Sequence, residues 1–86
     1  MGLSERDRAM LDFERSWWTE PGRKEDAIRQ RFGLSAGRYR QVLAVLIDTD
    51  DAEAFDPLVV RRLRRARDQR RRARFERSSA GGWRAR

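Results

Sequence analysis

Histidine and cysteine are both absent from the 86 residues of this chain. Without cysteine there is no disulfide and no thiolate metal site. Without histidine the commonest general base and the commonest metal ligand are missing too. Carboxylates are scattered, and no glycine-rich loop is placed to cradle a phosphate. An enzyme is therefore not expected, nor a metal site or a cofactor. No apolar run is long enough for a membrane span or a signal peptide, so a cytoplasmic, nucleoid-associated location without membrane contact is the expectation. Lysine is nearly absent as well: Lys24 is the only one among 21 basic residues. Biased codon usage explains the choice of arginine over lysine, but it does not explain the net charge.

Charge is what the chain has in excess. Charged residues make up 41% and apolar residues 38%, with a formal net charge of +7. At this length there is room for one domain with a small core. The basic excess is confined to one end. Residues 1–56 carry 9 basic and 12 acidic side chains, a net of −3, and residues 57–86 carry 12 and 2, a net of +10. A shift this sharp divides the chain into a folded unit over 1–56, a basic helix over 57–77 and a disordered tail over 78–86. Polyanions are the natural partners of such an extension.

Hydrophobic spacing predicts only helices. The first runs from about Glu5 to Trp18. Ser4 is its N-cap, with Asp7 placed for a capping box, and Met10, Phe13 and Trp17 form its inward stripe. Trp17 and Trp18 cannot face the same way, so Trp17 belongs to the core and Trp18 to its edge, against the last helix. Pro21-Gly22 marks a turn. The second helix runs from about Arg23 to Phe32 with Ile28 and Phe32 inward. Gly33 ends it, Leu34 plugs the core, and Ser35 caps a third helix from Ala36 to Asp48 that buries Tyr39, Val42, Leu43, Leu46 and Ile47. The acidic stretch 48–56 lacks the spacing of a calcium loop. It reads as a solvated linker in which Ala52, Ala54 and Phe55 form a short turn that tucks Phe55 into the core. A second reading has it shielding the basic helix in the absence of a polyanion. Asp56-Pro57 starts the fourth helix, whose stripe of Leu58, Val59, Leu63 and Ala66 gives way to arginine and which runs to about Phe75.

The segment from Ile28 to Val42 has the offsets of a DNA-binding helix-turn-helix. Ile28 and Phe32 precede the turn glycine, and Leu34, Tyr39 and Val42 follow it. Arg29 departs from the pattern, because that site is usually small where the two helices touch. Either the helices cross differently or Arg29 points outward. The fold class is thus all-α, a three-helix helix-turn-helix domain plus a C-terminal basic helix.

On Ala27 to Ser35 this segment resembles the helix-turn-helix in the promoter-reading C-terminal region of sigma factors. Asp12-Phe13-Glu14-Arg15, Trp17-Trp18, Phe32-Gly33-Leu34-Ser35, Arg38-Tyr39, Phe55-Asp56-Pro57 and Arg61-Arg62-Leu63-Arg64-Arg65 together resemble a family of small actinobacterial proteins of unknown function, over about residues 3–66. The resemblance implies a helix-turn-helix fold and DNA binding, and brings no ligand.

In this reading the third helix enters the major groove. Its base-contact candidates are Ser35, Ala36, Gly37, Arg38, Arg40 and Gln41, since arginine forks onto guanine and glutamine onto adenine. Phosphate-contact candidates are Arg23, Lys24, Arg31, Arg61, Arg62, Arg64, Arg65, Arg67, Arg70, Arg71, Arg72 and Arg74, with Arg77 continuing the run. Like charges at three- and four-residue spacing fray an isolated helix, so phosphates would order this one. Trp83 could stack on a base. Double-stranded DNA is the expected partner, bound by a transcription regulator or nucleoid-associated factor. Two other readings are a module that binds RNA polymerase or a sigma factor, and an RNA-binding or ribosome-associated protein. Monomer and homodimer both fit.

Overall fold

The computed structural model describes residues 2–84, and side-chain surroundings as far as Arg77. The described chain is all-helical: α1 (Glu5–Ser16), a 3-10 turn (Trp17–Thr19), α2 (Lys24–Phe32), α3 (Ala36–Leu46), α4 (Asp50–Phe55) and α5 (Pro57–Arg84). Each start has a chemical reason. The Ser4 hydroxyl accepts from the Asp7 amide while the Asp7 carboxylate accepts from the Ser4 amide, a complete capping box. Ser35 caps α3 through the Arg38 amide at 3.1 Å, Thr49 caps α4 through the Ala52 amide at 3.1 Å, and Asp56 caps α5 through the Val59 amide at 3.2 Å.

Gly33 closes α2 at φ 67° and donates its amide to the Arg29 carbonyl. That left-handed conformation is costly for a residue with a Cβ. Gly37 differs, because a Cβ added there would meet no atom within 4 Å and its backbone is helical. Gly33→Ala should therefore lower stability by about 1–2 kcal/mol, whereas Gly37→Ala should raise it by up to about 1 kcal/mol. Thermal melts of the two variants check the opposite signs.

The core collects Met10, Leu11 and Phe13 from α1, Ile28 from α2, Tyr39, Leu43 and Leu46 from α3, Ile47, Ala52 from α4, and Val59 and Val60 from α5. Phe13 meets Phe32 and Tyr39 edge to face, with ring centroids 5.7 and 6.0 Å away, which locks α1 against the α2–α3 pair. α4 lies against α1 and α5.

Several expectations change. The first helix stops at Ser16, and the two tryptophans sit in the 3-10 turn. Trp17 is half-buried. Trp18 is exposed at the edge, with the Arg62 guanidinium over its ring at 5.2 Å. The third helix ends at Leu46, two residues early, because the Asp48 and Thr49 amides bond back only three residues, to the Val45 and Leu46 carbonyls; the Ile47 carbonyl accepts from an arginine of α5. The acidic stretch is helical over Asp50–Phe55, and Ala52, fully buried, is the residue that enters the core. Phe55, the last residue of α4, is 42% exposed instead of tucked into the core. In α5, Leu58 is 77% exposed and Val60 takes the inward place the stripe gave it. The α5 backbone continues to Arg84, beyond the expected end near Phe75; the side chains of residues 78–86, Trp83 included, lie outside the described residues.

One buried charge is unforeseen. Glu14, 2% exposed, accepts from the Tyr39 hydroxyl at 2.6 Å and from Lys24 Nζ at 3.2 Å, so one carboxylate ties α1 to α2 and α3. Burial, and then the hydrogen bond to the Glu14 carboxylate, push the Tyr39 phenol far above its ordinary range. A raised folded value adds stability that is fully present below the unfolded phenol value of about 10 and is lost as pH rises above it. Wild type should therefore lose more stability between about pH 9 and 11 than Tyr39→Phe, as chemical denaturation at each pH would read.

Candidate nucleic-acid interface

The basic side chains divide into those the fold uses and those it leaves free. Several of the former come from the N-terminal half. Lys24 binds buried Glu14 and lies over the Trp17 ring at 4.7 Å. Arg31 pairs with Glu20 and covers the Phe13 ring at 5.5 Å. Arg23 pairs with Glu25 at 3.7 Å on an open surface. Lys24 and Arg31 are thus structural cations as well as candidates for phosphate.

At the start of α5 the same holds. Arg62 donates to the Glu14 carbonyl at 2.6 Å. Arg64 donates to the Ile47 carbonyl at 2.6 Å and to Glu53 at 3.0 Å, and Arg61 reaches Glu53 at 3.6 Å. Arg67 bonds Asp48 at 2.9 Å, and that hydrogen bond raises its already high pKa further. The acidic stretch is therefore no solvated linker: its Asp48 and Glu53 fasten the first three turns of α5 to the core. The sequence signal was the matching excess of acid over 48–56 and of arginine over 61–67. Their pairing needed the α4 turn, which brings Glu53 beside Arg61 and Arg64.

Beyond Arg67 the arginines are free. Among the described residues, Arg65, Arg70, Arg71, Arg72, Arg74 and Arg77 have no carboxylate within ion-pair distance, and all six are exposed. Arg70, Arg71, Arg74 and Arg77 recur at helical spacing and so share a face, which turns toward α3. Together with Gly37, Arg40, Gln41 and Ala44 of α3, and with Arg67 and Ala73 of α5, they line an open groove of about 750 Å³. None of its lining residues is acidic. Arg65 and Arg72 lie outside it.

The groove also sorts the α3 candidates. Gly37, Arg40 and Gln41 line it. Arg38 does not: its guanidinium donates to Gln41 at 3.3 Å and borders a second depression with Arg6, Asp7, Val42 and Val45. The Ser35 hydroxyl is used by the helix cap and Ala36 is half-buried. The structure therefore brings three of the six α3 candidates together with the free arginines of α5. A row of free arginines on α5 with one arginine opposite on α3, in one open groove with no acid in its lining, can take an extended polyanion.

A family model matches residues 2–75. The chain belongs to DUF3263, a family of proteins of unknown function. No curated protein and no solved structure matches it. The match spans α1 to α4 and α5 as far as Phe75, and takes in Arg40 and Gln41 on α3 and Arg67, Arg70, Arg71 and Arg74 on α5, so almost the whole groove falls within the matched part of the chain. Arg77 lies just past it.

Proposed function

We propose that this DUF3263 protein binds double-stranded DNA as a transcription regulator or nucleoid-associated factor, with α2 and α3 as a helix-turn-helix and α3 as the recognition helix. The observation that carries the reading is the acid-free groove in which Arg40 and Gln41 of α3 face the unpaired arginines of α5. The two sets have different chemistry to offer. Arg40 and Gln41 can read base edges, whereas the α5 row offers charge without sequence preference.

The local geometry of α2 and α3 supports the helix-turn-helix part. Gly33 makes the left-handed turn, Ser35 caps the second helix, and Ile28 and Tyr39 are buried on either side of the turn. Arg29, at the position usually small, is exposed, so it does not stand between the helices. The third member is α1, which backs the pair through Phe13.

The test is selection from a random duplex library. Wild type should enrich a sequence motif. Arg40→Ala should lose enrichment at one or two positions while keeping most of its bulk affinity, because one bidentate base contact is worth about 1–3 kcal/mol of discrimination. Enrichment of the same motif by Arg40→Ala would remove α3 from base reading.

A further inference from the structure

The groove has two walls, α3 on one side and α5 on the other. Its lining on α5 runs from Arg67 to Arg77, a rise of roughly 15 Å at 1.5 Å per residue. A basic wall of that length suits one phosphodiester strand laid along it. At about 3.4 Å per phosphate along a strand, the run offers room for roughly four nucleotides. The α5 wall supplies four unpaired guanidiniums, and Arg40 stands opposite.

Three of the lining residues are small. Gly37 and Ala44 on α3 and Ala73 on α5 are the lining positions without long side chains, and the space beside Gly37 is empty to 4 Å. Gly37 is not needed for its backbone, which is ordinary helix. What its missing side chain does provide is space on the wall that faces the arginines.

We propose that the α3–α5 groove seats a single phosphodiester strand, gripped from both sides. The inference rests on the DNA-binding reading and sharpens it. When α3 lies in the major groove, the strand bordering that groove passes between the two helices, and α5 holds it from its outer flank. The same seat accepts an unpaired strand. Phosphate contacts therefore come from a built channel and not from diffuse attraction to a basic helix.

Two substitutions with the same charge change separate these cases. Ala73 lines the groove and is exposed; Gln69 is exposed on the same helix but does not line it. Ala73→Glu and Gln69→Glu each add one negative charge. Binding is read by fluorescence anisotropy with two labelled probes, an oligothymidine of about twelve nucleotides and a duplex of about twenty base pairs. Circular dichroism checks that both variants keep their helices. The seat predicts that wild type binds both probes, that Ala73→Glu weakens both by about tenfold or more, and that Gln69→Glu weakens them by no more than about threefold. Equal losses from the two variants, or duplex binding with no binding of the oligothymidine, overturn the seat and leave DNA binding standing. Failure of wild type to bind either probe removes the DNA-binding reading together with the seat.

Discussion

Replacing Arg70, Arg71, Arg74 and Arg77 by alanine should lower duplex affinity by a factor on the order of 100 and leave the fold intact. All four are exposed and line the groove, and among the described residues none has an acidic partner. Screened contacts of this kind are worth about 0.7 kcal/mol each, so four amount to about 3 kcal/mol. The fold should not suffer, because α5 is fastened by Arg62, Arg64 and Arg67, which the substitutions leave in place. Removing like charges at three- and four-residue spacing should even favour the helix slightly. Anisotropy and a thermal melt on the same samples check both halves. A melt lowered by many degrees would show that these arginines support the fold, and the division between fastening and free arginines would be wrong.

The second large effect concerns the fold itself. Glu14→Ala should destabilise the protein by about 3–5 kcal/mol, which for a domain of this size lowers the melting temperature by roughly 15–30 °C. The substitution strands the buried Tyr39 hydroxyl without its acceptor and leaves Lys24 beside an apolar gap. Glu14→Gln keeps an acceptor for Tyr39 and should cost less, about 1–2 kcal/mol. A calorimetric series of Glu14→Ala, Glu14→Gln and Tyr39→Phe measures the ordering. If Glu14→Ala melted within a few degrees of wild type, the carboxylate would not be the tie among the first three helices.

Glu14 also shows what was legible in the sequence and what was not. Met10, Phe13, Glu14 and Trp17 stand at i, i+3, i+4 and i+7, so a carboxylate occupied a place on the buried stripe. Its sequence says that something must satisfy it; only the packing of α2 and α3 shows that Tyr39 and Lys24 do so. The N-caps at Ser4, Ser35 and Asp56 and the turn at Gly33 were legible because they depend on neighbours within three or four residues. The start of α4 was marked in the same way, by Thr49 followed by two aspartates. Its consequence, the fastening of α5 through Asp48 and Glu53, was hidden because the partners are 11 and 19 residues apart.

The same distinction applies to the groove. Composition locates the arginine excess in the C-terminal third, and helical spacing alone puts Arg70, Arg74 and Arg77 on one face. That this face turns toward Arg40 and Gln41 is a tertiary fact. It separates two kinds of arginine that sequence treats alike: Arg61, Arg62 and Arg64, which anchor the helix, and those after Arg67 whose charge is unspent. Arg67 stands at the boundary, bonded to Asp48 and lining the groove.

Binding to one duplex across a salt series, from roughly 50 to 200 mM, tests the central claim most directly. Each phosphate contact contributes about −0.9 to the slope of log affinity against log salt. Wild type, with the four α5 arginines on phosphates, should give a slope of about −3 to −4, and the fourfold alanine variant a slope shallower by about 3 to 4. A wild-type affinity that hardly changes with salt, or a variant with an unchanged slope, would contradict the account that the free arginines of α5 hold the DNA backbone.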